Sequence, residues 1–124
     1  DEFNTDGMPD TTKWSYDVGG NGWGNNELEY YTNARPENAR IANGRLIIEA
    51  RKESFGGRNY TSARLLTKNK AQWTYGKFEI RAKIPRGRGT WPAIWLLSAA
   101  KPLHWPDDGE LDIMEEVGFT PSLI

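Results

Sequence analysis

Cysteine is absent from these 124 residues, and histidine occurs once, as His104. The first absence excludes a disulfide framework, a thiolate metal site and a thiol nucleophile. The second excludes a metal site built from several imidazoles. Long apolar runs are missing too, so no segment reads as a membrane span. No charged-then-apolar leader precedes Asp1-Glu2-Phe3-Asn4, which reads as the start of a mature domain. Charge of one sign is also lacking: sixteen basic side chains face seventeen acidic ones, a formal net charge of −1. That balance argues against a nucleic-acid or membrane-surface partner drawn in by long-range attraction. No stretch carries a helical period, and neither an internal repeat nor a linker is apparent.

What the chain has in excess is aromatic side chains. Six Trp and five Tyr make up most of a 12% aromatic fraction, several of them in segments that contain Gly or Pro. Core packing accounts for some. A polysaccharide groove accounts better for the rest, because sugar rings offer flat C–H faces to aromatic rings and hydroxyls to polar side chains. Thirteen Gly and seven Pro cut the chain into short extended runs. The clearest is residues 76–84, where Phe78, Ile80, Ala82 and Ile84 alternate with Lys77, Glu79, Arg81 and Lys83, a period of two with one apolar face. Residues 45–50, 60–67, 93–98 and 109–117 read as further strands, with residues 19–26 and 85–90 as turn-rich loops. The sum is all-β and mostly antiparallel, a sandwich or jelly roll.

The last of these strands holds three carboxylates within six residues, Glu110-Leu111-Asp112-Ile113-Met114-Glu115. In a regular strand side chains alternate faces, so Glu110, Asp112 and Met114 align and Glu115 points away. One extra residue, a β-bulge at Ile113–Met114, turns Glu115 back to the side of Glu110 and Asp112. Crowding three like charges costs stability, since each makes the others harder to ionise. Cleavage of a glycosidic bond does need such a set: a carboxylate nucleophile, and a carboxylic acid that protonates the leaving oxygen. Once the bulge is discounted, four regular steps separate Glu110 from Glu115, roughly 13 Å between Cα atoms. Two Glu side chains leaning together over a concave sheet close that to the about 5–5.5 Å of a retaining pair. On this reading Glu110 is the nucleophile, Glu115 is first acid and then base, and Asp112 orients Glu110. The bland alternative is a calcium loop, which favours Asp, Asn and Gly in a flexible segment. Leu111, Ile113, Met114 and Val117 instead back these carboxylates with an apolar strand.

Residues 109–115 closely resemble the signature of glycoside hydrolase family 16, in the bulged version found in its laminarinases (endo-1,3-β-glucanases). Residues 24–32 (GNNELEYYT), 60–64 (YTSAR) and 89–97 (GTWPAIWLL) resemble laminarinase segments in the same order, so the likeness covers essentially the whole chain. It implies a β-jelly-roll with a long cleft on its concave face, and a retaining endo-hydrolase of β-1,3-glucan that needs no cofactor for catalysis. The implied partner is a β-glucan polysaccharide or oligosaccharide. By the same likeness Glu110 is the nucleophile, Asp112 its helper and Glu115 the acid/base. Trp91 and Trp95 are then walls of the subsites on the non-reducing side of the cut, Asn25 and Arg64 bond sugar hydroxyls there, and Trp105 lies at the cleft rim. A structural calcium ion on the convex side, with Glu2 and Gly44 among its ligands, is a further implication. A secreted setting follows from the substrate class.

The residues by themselves leave other readings open. Trp91 and Trp95 lie four apart across a strand start, which leaves core packing and cleft lining evenly matched and does not commit the two to one face. Arg64, beside Ala63 and Leu65-Leu66, would snorkel or pair with a carboxylate, and Asn25 would serve only its turn. Trp14, Trp23 and Trp73 read as core or loop anchors, and His104 as a loop residue. The rival functions are a same-family hydrolase of mixed-linkage β-glucan or another β-linked polysaccharide, and a non-catalytic glucan-binding sandwich. The last has no reason to keep three carboxylates together. All-β sandwiches commonly run about 200–250 residues, and a central acidic strand needs neighbours on both sides. Residues 1–124 are therefore expected to be the N-terminal part of a single jelly-roll catalytic domain, completed by a complementary C-terminal polypeptide.

Overall fold

A computed structural model describes residues 1–120. Among them are nine strands and no helix: β1 (Ser15–Asp17), β2 (Glu29–Tyr31), β3 (Ala39–Ile41), β4 (Leu46–Ile48), β5 (Arg51–Phe55), β6 (Arg58–Ser62), β7 (Arg64–Leu66), β8 (Ala93–Leu97) and β9 (Glu110–Glu115). The chain divides into two compact units, Asp1–Gln72 and Trp73–Ile124.

In the first unit the short strands are made by their turns. Ala42 and Arg45 exchange both backbone hydrogen bonds, at 3.0 and 3.2 Å. Between them Asn43 and Gly44 sit at φ 54° and 67°, the paired left-handed geometry that lets a two-residue turn match strand twist. This turn joins β3 to β4 in register Ala39 opposite Ile48. Gly56 and Gly57, at φ 56° and 79°, do the same for β5 and β6, where Phe55 pairs with Arg58. A side chain at Gly56 would also strike the Tyr30 ring, whose nearest carbon lies 2.4 Å from the Cβ position. The sequence pattern treats residues 60–67 as one strand, but the chain breaks at Ala63 because the two halves find different partners. β6 lies between β2, which runs parallel to it, and β5, whereas β7 pairs antiparallel with β1.

The interior of this unit is small and polar. Its buried apolar side chains are Pro9, Ala39, Ile41 and Ala63; Thr32, Asn38 and Thr61 are buried with them. Asn38 ties the group together. Its Oδ1 accepts from Thr32 Oγ1 at 2.8 Å and from Arg35 at 3.2 Å. Its Nδ2 donates to Glu49 O at 3.0 Å and to Thr61 Oγ1 at 2.9 Å. Thr61 in turn donates to Glu53, and Arg35 holds both Glu53 oxygens, at 2.7 and 3.0 Å. Every buried polar group so named is paired, which is the condition for burying it at all.

In the second unit β8 and β9 form a two-stranded antiparallel sheet. Residues 76–84, whose alternation predicts the clearest strand, form no ladder among the described residues. Alternation makes a segment fit for a sheet, but a strand exists only where its N–H and C=O groups meet those of a neighbour. Here Phe78 and Ile80 remain 40% and 50% exposed.

Candidate active site

The position of β9 is set by β8. Ala93 stands opposite Glu115, Ile94 opposite Met114, Trp95 opposite Asp112, Leu96 opposite Leu111 and Leu97 opposite Glu110. From Ile94 to Trp95 is one step on β8, while from Met114 to Asp112 is two on β9. Ile113 is therefore the extra residue of a bulge, as the carboxylate pattern predicts. Opposed residues of a ladder share a face, and Ala93, Trp95 and Leu97 alternate onto one face of β8. Their partners Glu115, Asp112 and Glu110 share that face in consequence. Ile94, Leu96, Leu111 and Met114 take the other, so the acidic side is backed by an apolar one.

Two indoles reach these carboxylates. Trp91, just before β8, donates Nε1–H to Glu115 Oε1 at 2.7 Å. Trp91 therefore lies on the carboxylate side with Trp95, a correction to the reading that left the two uncommitted: an even spacing of four returns a strand to the same face. Trp105 sits in a loop that folds back on itself. There Asp108 accepts the His104 backbone N–H at 2.6 Å and donates its own to His104 O at 2.8 Å, and Gly109 N–H reaches Pro106 O at 2.9 Å. From this loop Trp105 donates Nε1–H to Glu110 Oε2 at 2.7 Å. Both distances lie at the short end of the ordinary N–H···O range. All three carboxylates are exposed, open to a ligand along the face.

Pairing continues past β9. Glu116 N–H reaches Pro92 O at 3.1 Å and Gly118 N–H reaches Thr90 O at 2.9 Å. A Cβ on Gly118 would fall 2.0 Å from Gly87 O, so only glycine lets the chain pass this loop. Glu116 is 3% exposed, a buried acid that the sequence pattern does not single out.

Asn25 and Arg64 belong to the first unit, where a cluster forms around Trp23. Arg64 pairs with Asp17 at 3.1 Å and stacks on the Trp23 ring, 4.7 Å from its centroid. The carboxylate pairing expected of Arg64 from its strand position is thus present. Trp23 meets Tyr31 edge-on at 5.8 Å and donates to Gly19 O at 3.3 Å; it anchors the loop at φ 50°. Asn25 closes a turn with Gly22 O at 2.9 Å and donates its side-chain N–H to Glu27 at 3.2 Å. Glu27 also accepts from the Tyr31 hydroxyl at 2.6 Å. Burial and that bond push the Tyr31 phenol well above its ordinary range, which keeps it a donor. Trp23 is the loop anchor its sequence position suggests, whereas Tyr31, at the end of β2, carries no pattern that marks its bond to Glu27.

Glu2 lines a cavity with Asp1, Asp6 and Asp10, and Gly44 lies in the β3–β4 turn, where Asp6 accepts the Asn43 N–H at 2.9 Å. Three of these carboxylates bond within the chain: Asp6 as just described, Asp1 accepting from Trp14 at 2.9 Å and Asp10 from Thr12 at 2.7 Å. Among the described residues no three acidic or His side chains gather as a metal site.

Comparison with known proteins identifies the family. A family model described as "XgeA-like, catalytic GH16 domain" matches residues 24–121. A beta-glucanase of Rhodothermus marinus is 63% identical over 127 residues, covering 100% of this chain and 44% of that protein. The X-ray structure of the laminarinase from Rhodothermus marinus superposes with a TM-score of 0.94 at 64% identity, covering 98% of this chain and 49% of that one. A mutant of SCLam, a non-specific endo-β-1,3(4)-glucanase of family GH16, solved with 1,3-β-D-cellobiosyl-glucose at its active site, superposes with a TM-score of 0.93 at 49% identity, covering 98% of this chain and 50% of that one. The chain thus spans about half the length of the relatives it matches, and its all-β architecture is that of their jelly-roll sandwich.

Proposed function

Because this chain belongs to glycoside hydrolase family 16, we propose that it carries the catalytic strand of a retaining endo-β-1,3-glucanase acting on laminarin-type glucans. The observation that carries the reading is the bulged β8–β9 register, with Glu110, Asp112 and Glu115 on one face. Glu110 attacks the anomeric carbon, the bond to the leaving oxygen breaks, and that oxygen takes its electron pair and the proton of Glu115. A glycosyl ester on Glu110 results. Glu115, now a carboxylate, takes a proton from water as the water oxygen attacks the same carbon, and Glu110 departs as a carboxylate. Two inversions leave the β configuration unchanged. Asp112, between the two, orients Glu110. Trp91 and Trp95 flank the sugar on the non-reducing side, Trp105 forms the rim, and Asn25 and Arg64 bond sugar hydroxyls.

A second reading, activity on mixed-linkage β-glucan, draws its support from the non-specific 1,3(4) action in the name of SCLam. In either case residues 1–124 form the N-terminal part of one catalytic domain, completed by further polypeptide, and the protein works outside the cell, where its polysaccharide is. Catalysis takes no cofactor. A structural calcium ion with Glu2 and Gly44 among its ligands, held by carboxylate and backbone oxygens, completes the proposal. A melting temperature raised by calcium and lowered by chelation supports it; unchanged melting counts against it.

The deciding experiment uses the full-length protein, or this chain completed with the part of the Rhodothermus marinus laminarinase that it does not cover. Glu110→Ser is expected to abolish release of reducing sugar from laminarin, a loss on the order of 10³-fold or more, while oligosaccharide binding stays intact. Unchanged turnover would overturn the assignment. Binding without turnover in the parent protein itself would instead identify a glucan-binding sandwich.

A further inference from the structure

Both carboxylates assigned to the reaction are held by a tryptophan. Trp91 Nε1 lies 2.7 Å from Glu115 Oε1 and Trp105 Nε1 lies 2.7 Å from Glu110 Oε2. The two indoles come from different segments, one ahead of β8 and one from the loop before β9, yet each meets one end of the acidic row. An indole nitrogen carries one hydrogen and offers no lone pair, so it donates in every protonation state of its partner. The oxygen it faces must accept. That oxygen cannot place a proton towards the indole, and a lone pair spent there is not offered to a sugar.

We infer that Trp91 and Trp105 divide the four carboxylate oxygens of Glu110 and Glu115 into two that are held and two that react. Trp91 fixes Glu115 Oε1 as an acceptor, so the proton delivered to the leaving oxygen, and later recovered from water, resides on Oε2. Trp105 fixes Glu110 Oε2, so Oε1 is the oxygen that bonds the anomeric carbon. Both are positioning residues for the reaction set out above, and the inference rests on that reading. Exposed Glu side chains rotate freely about three bonds, and fixing one oxygen removes most of that freedom before substrate arrives. A ring that only stacks against sugar needs no N–H, so the two roles of a tryptophan separate on substitution by phenylalanine.

The test is made in the full-length enzyme with two substrates, a laminarioligosaccharide and a 2,4-dinitrophenyl β-laminarioside whose leaving group needs no proton. Trp91→Phe is expected to lower kcat on the oligosaccharide about 10²-fold with KM nearly unchanged. With azide as nucleophile the same variant cleaves the dinitrophenyl substrate at close to the parent rate, since neither role of Glu115 is then required. Trp105→Phe slows both substrates by similar factors, and azide restores neither. Trp91→His, which again offers an N–H, recovers part of the loss and serves where the Phe variant fails to fold. Parent-like kcat in both Phe variants would overturn the inference, as would a loss in Trp91→Phe confined to KM. Glu115→Ala with azide is the control for the underlying assignment. If azide restores Glu115→Ala while Trp91→Phe behaves as the parent, only the tryptophan inference fails. If azide does not restore Glu115→Ala, the acid/base assignment itself fails.

Discussion

Trp95 stands opposite Asp112 across the β8–β9 ladder, one pair after Ile94 stands opposite Met114. The skipped residue, Ile113, changes which face every later side chain of β9 occupies, and its effect can be read by parity. Removing Ile113 alone leaves Glu115 four regular steps from Glu110 and on the same face. Removing Ile113 and Met114 together leaves three steps and sends Glu115 to the apolar side. Single deletion should therefore retain measurable laminarin hydrolysis, and double deletion should cost about 10²–10⁴-fold, the worth of a lost general acid/base. Equal losses in the two variants, with folding verified by circular dichroism, would show that face is not what matters.

Asn38 concentrates the stability of the first unit. Its side chain is fully buried and joins Thr32, Arg35, Glu49 and Thr61 through four hydrogen bonds. Asn38→Ala strands several buried polar partners at once and should cost about 3 kcal/mol, read from the urea midpoint of the full-length protein. A loss under about 0.5 kcal/mol, the level of an ordinary surface substitution, would mean that water replaces the amide without penalty.

Acid should loosen the same network at Glu53. The Arg35 guanidinium, with help from the Thr61 hydroxyl, holds this carboxyl at about 2 against an ordinary 4.5. A pKa depressed by folding contributes stability that is complete above the unfolded value and is lost as pH falls through the folded one. Melting temperatures taken from pH 6 down to pH 2 should therefore drop between about 4.5 and 2, and less steeply in Glu53→Gln than in the parent. Parallel curves would remove Glu53 from the account.

The parts of this molecule that could be read in the chain are those with a local pattern. Three carboxylates among Leu111, Ile113 and Met114 identified both a strand and its irregularity, because only a bulge puts Glu110 and Glu115 on one side. Alternation failed at residues 76–84 for a physical reason: it reports which face could be buried, not whether a neighbouring strand is there to pair. β1, β2 and β3, of three residues each, are too short to show a period at all. The polar interior around Asn38 was equally hidden, since Thr, Asn and Glu in such positions look like surface until their partners are known. The likeness to family 16 pointed to Trp91 and Trp105, but no spacing reveals that their N–H groups end on Glu115 and Glu110.

The stereochemistry of the first product tests the central claim most directly. Proton NMR of a laminarioligosaccharide digest by the full-length enzyme, begun before mutarotation, should show the β-anomer of the new reducing end appearing first. Appearance of the α-anomer first would mean that water, not Glu110, attacks the sugar, and would contradict the assignment of two Glu side chains on one strand face as nucleophile and acid.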